Sequence, residues 1–127
     1  MEIRFTAREL DVVTVLWDRG PCTVADVRGA LEDDLAYTTV LTVLRILEDK
    51  GYVAHTAEGR THRYRALVER ADAGASALLR LKRRLFAGSP ELLFTRLVED
   101  EDLTEDDLRR MRDLLARRLG EMEEEDE

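Results

Sequence analysis

The stretch Val40-Leu41-Thr42-Val43-Leu44-Arg45-Ile46-Leu47-Glu48-Asp49-Lys50-Gly51, followed by Tyr52-Val53-Ala54-His55-Thr56, Glu58-Gly59-Arg60 and Thr61-His62-Arg63-Tyr64-Arg65-Ala66-Leu67, carries the change of period that decides the fold. Up to Gly51 the apolar residues Val40, Val43, Leu44 and Leu47 recur at i, i+3, i+4 and i+7, the spacing of a helix that buries one face. Gly51 suits the left-handed position that ends a helix. Beyond it, β-branched and aromatic residues fall in two short runs around Glu58-Gly59-Arg60, which predicts a hairpin. With Glu58-Gly59 as its tip, His55 is expected opposite His62. Tyr64 and Ala66 then face one side of the second strand, and Arg63 and Arg65 the other.

Working backward, Thr6-Ala7-Arg8-Glu9 has the form of a capping box, with Leu10, Val13, Leu16 and Trp17 as the apolar stripe of a first helix. Gly20-Pro21 stops it. Thr23 caps a second helix with Val24, Val27 and Leu31 inward and Asp26 in its first turn, where the helix dipole favours an anion. Three helices and a hairpin make the order of a winged helix-turn-helix over residues 1–70. Working forward, Ala75, Leu78, Leu79, Leu85 and Phe86 mark a fourth helix. Ser89-Pro90 opens a fifth through Leu92, Leu93, Phe94, Leu97 and Val98. Thr104 caps a sixth, whose Leu108, Met111, Leu115, Leu119 and Met122 form a long stripe with few neighbours in so short a chain. Such a stripe usually finds its partner on a second copy, the alternative being packing back onto the first half. Residues 71–127 are therefore expected to be a helical dimerisation region with an acidic tail, using Leu78, Leu85, Phe94, Leu97, Leu108, Met111, Leu115, Leu119 and Met122.

Composition agrees with a mainly α fold: a winged helix-turn-helix DNA-binding domain followed by a helical dimerisation domain. The 127 residues are 44% apolar and 38% charged, enough to bury a core. Aromatics are only 6%, with seven glycines and two prolines, which disfavours a β-sandwich. The absence of a long apolar run and of a charged-then-apolar leader predicts neither a membrane span nor a secretion signal, hence a cytoplasmic protein. One cysteine, Cys22, forms no internal disulfide and is expected to be a small buried hydrophobe. The net charge of −8 is unevenly spread. Residues 36–70 hold six basic and four acidic side chains, whereas residues 71–127 hold ten and sixteen.

The third helix, turned away from its core stripe, offers Thr38, Thr42, Arg45 and Asp49, flanked by Thr39 and Leu41. Hydroxyls, an apolar side chain and an arginine are the groups that read base edges, thymine methyls and phosphates in a major groove. Arg60, Arg63 and Arg65 lie on or beside the hairpin, where contacts to the DNA backbone are expected. His55 and His62 supply at most two metal ligands with no thiolate or carboxylate converging from nearby sequence, so no metal and no cofactor are predicted. No phosphate loop, nucleophile elbow or zincin motif is present, and no enzyme is expected. A different class, an acidic winged-helix protein–protein adaptor, would use the charge of −8 and leave the third helix idle. Salt dependence of duplex binding separates the two.

Phe5-Thr6-Ala7-Arg8-Glu9-Leu10-Asp11-Val12-Val13, Leu16-Trp17 and Tyr37-Thr38-Thr39-Val40-Leu41-Thr42-Val43-Leu44 resemble the penicillinase repressor (BlaI/MecI) family of bacterial transcription factors. The likeness extends through Glu48-Asp49-Lys50-Gly51-Tyr52-Val53 to the acidic turn before the last helix. It implies a homodimer that binds a palindromic operator in double-stranded DNA and represses genes. It also implies release by a sensor-linked protease that cuts the fifth helix, at a bond matching Arg96-Leu97 here, where the family's Asn-Phe pair is replaced. The Cys-x-Cys pairs of the copper-responsive branch are absent. Leu41 stands where the most-studied members carry a polar or basic residue, a departure that bears on operator sequence.

Overall fold

A computed structural model describes residues 2–126. They form two compact units, one extending to Arg80 and one beginning at Leu81. The first contains α1 (Ala7–Arg19), β1 (Cys22–Thr23), α2 (Val24–Ala30), α3 (Tyr37–Asp49), β2 (Val53–Glu58), β3 (Thr61–Ala66) and most of α4 (Arg70–Leu85). The second contains the end of α4, α5 (Pro90–Val98) and α6 (Glu105–Glu125).

Local chemistry sets the ends of these elements. At α1 the Thr6 hydroxyl accepts the Glu9 N–H at 3.1 Å, and the Glu9 carboxylate accepts the Thr6 N–H at 2.7 Å, which closes the capping box. Thr23 with Asp26 and Thr104 with Asp107 repeat the arrangement for α2 and α6. Helix α3 ends in a Schellman turn: Gly51, at φ 83°, donates to the Glu48 carbonyl, and Tyr52 donates to the Leu47 carbonyl at 3.0 Å.

The expected stripe of α1 is rotated. Val12, Val13, Val15 and Leu16 are buried with Glu9, while Leu10 is 45% exposed and Trp17 half-buried. Positions 9, 12, 13 and 16 are themselves spaced i, i+3, i+4 and i+7. The charge of Glu9 disguises its place on the inner face. Trp17 borders the core and donates its indole N–H to the Val68 carbonyl at 2.9 Å.

A three-stranded antiparallel sheet has the order β1-β3-β2. The two-residue strand β1 pairs Cys22 with Tyr64 and Thr23 with Arg63, and is too short to leave a periodic trace in the sequence. The hairpin register also differs from expectation. Glu58 pairs with Thr61, so the turn is Gly59-Arg60, with Gly59 at φ 62°. That is the first turn position, at which a II′ turn selects glycine. His55 consequently opposes Tyr64, and His62 opposes Ala57. The two imidazoles meet instead as diagonal neighbours, stacked with centroids 4.3 Å apart.

The core of the first unit is continuous. Val12, Val13, Val27, Val40, Leu44, Leu47, Val53 and Tyr64 are fully buried, with Ile3, Leu16, Cys22, Val24 and Ala73 around them. The start of the chain is tied to α4: Ile3 N–H donates to Ser76 Oγ at 3.2 Å, and Arg80 donates to the Ile3 carbonyl at 2.7 Å. The second unit is built differently. Ser89 caps α5 through Leu92 N–H at 3.2 Å, with Pro90 in the first turn as expected, yet neither α5 nor α6 buries a residue.

Candidate nucleic-acid interface

Helix α3 has two faces of opposite character. Val40, Leu44 and Leu47 are buried in the core. Thr38, Thr39, Thr42, Arg45, Ile46 and Asp49 are exposed on the other side. Leu41 lies between, half-buried and packed against the core, so its side chain belongs to the seam rather than to the open face. The N-cap position, Ala36, provides no side-chain acceptor for the first turn. Backbone N–H groups at the start of α3 thus remain available, with the positive end of the helix dipole behind them.

Each polar group on this face is in a definable state. The Thr42 hydroxyl donates to the Thr38 carbonyl at 2.9 Å, so it offers a lone pair and a methyl rather than a free hydrogen. Arg45 makes no ion pair among the described residues. Glu48 accepts the His55 ring nitrogen Nδ1 at 2.7 Å, which joins α3 to β2 at one flank.

The position of α3 is fixed from its end. Lys50, just past the last turn, donates to both Glu9 oxygens at 2.9 and 2.7 Å, and the Glu9 side chain is only 5% exposed. Burial pushes the Glu9 carboxyl up, but the Lys50 ammonium and the Thr6 N–H and hydroxyl outweigh it and hold the group below its ordinary value. One buried carboxylate therefore caps α1 and anchors the C-terminal end of α3. Sequence spacing gave no sign of this, since the partners are 41 residues apart.

The hairpin brings the three arginines into two classes. Arg63 reaches the Glu58 carboxylate at 3.0 Å and the Pro21 carbonyl at 3.3 Å, and lies 3.9 Å from Asp26. The hydrogen bond to Glu58, first among these influences, pushes its guanidinium up. It fastens β3 to the hairpin's other strand and to the segment before α2. Arg60 and Arg65 are exposed and make no ion pair among the described residues. The Tyr64 ring, opposite in sense on β3, is 1% exposed, and burial, reinforced by Glu48, pushes its phenol up. Cys22 is buried as expected, and burial together with Asp26 pushes its thiol up.

In the second unit Phe94 and Leu97 on α5 and Leu108, Leu115, Leu119 and Met122 on α6 are exposed, and Met111 is half-buried. Leu78 and Leu85 on α4 are likewise exposed. Arg96 and Leu97 lie inside α5, with Arg96 paired to Glu99 at 3.3 Å. Ile46 is the residue of the α3 face that sequence reading missed. It is absent from the core stripe and follows Thr42 by four positions, the available signal. Among the described residues, no helix is long and apolar enough to cross a membrane.

Comparison with known proteins is consistent with this geometry. Residues 5–117 match the family model described as penicillinase repressor. The chain is 35% identical over 119 residues to the transcriptional regulator BlaI of Mycobacterium tuberculosis, covering 91% of this chain and 82% of that protein. It is 21% identical over 115 residues to the methicillin resistance regulatory protein MecI of Staphylococcus aureus, covering 89% and 94%. The fold is also that of a MarR family protein from Bacillus stearothermophilus, with a TM-score of 0.52, 18% identity, and coverage of 94% of this chain and 76% of that one. The chain belongs to the penicillinase repressor family of winged-helix, DNA-binding transcriptional repressors.

Proposed function

We propose that the protein represses transcription as a homodimer on a palindromic operator, each copy placing α3 in the major groove of one half-site. The observation that carries this is the division of α3: a fully buried face holds the helix, and the face with Thr38, Thr39, Thr42 and Arg45 is left open. Side chains of this kind discriminate base edges, while phosphate contacts fix the register of the protein. Arg60 and Arg65 serve as the phosphate ligands of the wing. Arg63 holds the wing in place through Glu58 and the Pro21 carbonyl and adds its remaining exposed edge.

Dimerisation belongs to the helices after residue 70. Leu78, Leu85, Phe94, Leu97, Leu108, Met111, Leu115, Leu119 and Met122 supply apolar surface that a second copy would cover. This is supported by the absence of any buried residue in α5 and α6. Two linked half-site readers then bind with the gain of an effective local concentration. Repression ends when a protease cuts α5 at or near Arg96-Leu97, because the cut detaches α6 and its stripe. Cleavage inside a helix requires that α5 first open locally, and an element without buried side chains opens at low cost.

The test is selection of bound sites from random duplexes, followed by titration of the selected duplex at several salt concentrations. Expected are two inverted half-sites about one helical turn apart. Affinity should also fall roughly 10³-fold between about 50 and 200 mM salt, if six or more phosphates are neutralised. Enrichment of single half-sites would remove the palindrome. Binding indifferent to salt would remove the phosphate contacts.

A further inference from the structure

Resting on the placement of α3 in the major groove, we infer that the protein reads thymine 5-methyl groups, through the side chain of Ile46 and the methyl of Thr42. Ile46 is 43% exposed, in the last turn of a helix whose opposite face is buried through Val40, Leu44 and Leu47. A lone exposed apolar residue is ordinary on a protein surface. This one follows Thr42 by four positions and so lies beside it on the open side of α3, where Arg45, three positions after Thr42, is also exposed. Thr39, seven positions before Ile46, continues the same row and is also exposed.

The hydrogen-bonding state of Thr42 narrows the chemistry. Its hydroxyl hydrogen is committed to the Thr38 carbonyl, so it cannot donate to a guanine O6 or N7 or to a thymine O4 without breaking that bond. What remains is a lone pair, able to accept from an adenine N6 or cytosine N4 amine, and a methyl group on the same side of the helix as the branched hydrocarbon of Ile46. The major-groove edge that complements a hydrocarbon patch is the thymine methyl, which none of the other three standard DNA bases carries. Arg45, adjacent in sequence, adds the charge that holds the duplex without itself requiring thymine. Leu41, the apolar residue first assigned to this role, is half-buried against the core and so largely withdrawn from it.

The experiment uses the full chain and duplexes selected by it from a random library, resynthesised with either thymidine or deoxyuridine. Uracil keeps every hydrogen-bonding group of thymine and lacks only the methyl. The wild type is expected to lose about four-fold in affinity for each methyl it reads, corresponding to about 0.8 kcal/mol for one buried methyl-sized group. Ile46→Ala should bind the thymidine duplex more weakly and lose most of the discrimination against deoxyuridine, with an unchanged salt slope. Thr42→Val should retain discrimination and Thr42→Ser should reduce it. Equal wild-type binding of both duplexes, or full discrimination surviving in Ile46→Ala, would overturn the inference while leaving the groove placement of α3 standing. Failure of the library to yield any enriched sequence would instead bring down the placement and the inference together.

Discussion

The two units of this chain solve the problem of burial in opposite ways. The first closes a core from Ile3 to Ala73 around Leu44, Leu47 and Tyr64, with a sheet to complete it. The second has well-capped helices, yet neither α5 nor α6 contains a fully buried residue, Leu93 and Met111 being only half-buried. Capping boxes and i,i+3 ion pairs such as Arg110–Asp107 specify where a helix begins, and the exposed pairs add little to its stability. They do not supply the hydrophobic burial that most tertiary structure depends on. The difference teaches that helix formation and burial of a core are separately encoded: caps and ion pairs define α5 and α6 without giving either a buried side chain.

The largest expected effect comes from the open half. Leu115→Asp places a charge in the α6 stripe, where an unpaired buried carboxylate costs several kcal/mol in an assembled interface. Sedimentation should show a monomer, and operator affinity should drop about 10²-fold or more as the linkage between half-site readers is lost. The first unit should keep its cooperative unfolding. A wild-type chain that sediments as a monomer at micromolar concentration would break the comparison itself.

A smaller effect is expected from the closed half. Glu9→Gln removes the charge that Lys50 and the Thr6 N–H engage, and should destabilise the first unit by about 2 kcal/mol at neutral pH, within the range for hydrogen bonds to charged groups. The sign of the pH dependence follows from the lowered Glu9 carboxyl. Its folded-state value lies below the unfolded one, so its contribution is fully present above about pH 4.3 and is lost as pH falls through the folded value. Denaturant melts of the wild type and Glu9→Gln should converge in that acid range. A gap that stays constant down to pH 2 would show that packing, rather than charge, accounts for the difference.

The smallest effect sharpens which surface charges belong to the architecture of the first unit. Arg65→Ala should weaken all duplexes alike and lower the salt slope by about one unit, with stability unchanged. Arg63→Ala should instead loosen the hairpin, increasing amide exchange in β2 and β3, because Glu58 and the Pro21 carbonyl lose their donor. Identical behaviour of the two variants would erase the distinction drawn between them.

Much of this architecture is legible in sequence, for a physical reason. Periodicity and caps act within a few residues, so Thr6, Thr23, Gly51, Ser89 and Thr104 announce their own helix ends. What is hidden depends on distant partners. Glu9 is on the inner face, where Lys50 from 41 residues away meets its charge, while Leu10 is turned outward. Arg63 resembles Arg60 and Arg65 in the sequence until Pro21 and Asp26 come beside it. Strand β1 exists because β3 is there to pair with it. The histidine register moved because the two-residue turn is Gly59-Arg60 rather than one centred on Glu58-Gly59. On the candidate interface, the threonines and Arg45 are visible from helical spacing. The exchange of Leu41 for Ile46 as the open apolar side chain depends on where the rest of the core lies.

The two-faced character of α3 also makes it a replaceable cassette. The residues that anchor it, Val40, Leu44, Leu47 and the adjoining Lys50, are distinct from Thr38, Thr42, Arg45 and Ile46. Randomising those four positions, with Pro and Gly left out, leaves every buried side chain and the Glu9 anchor untouched, and exposed substitutions of this kind usually change stability by no more than about 0.5 kcal/mol. Variants from such a library should fold almost uniformly while diverging in the duplexes they choose. If α3 reads the operator as proposed, target preference can drift, or be engineered, along one side of a single helix without the fold having to be solved again.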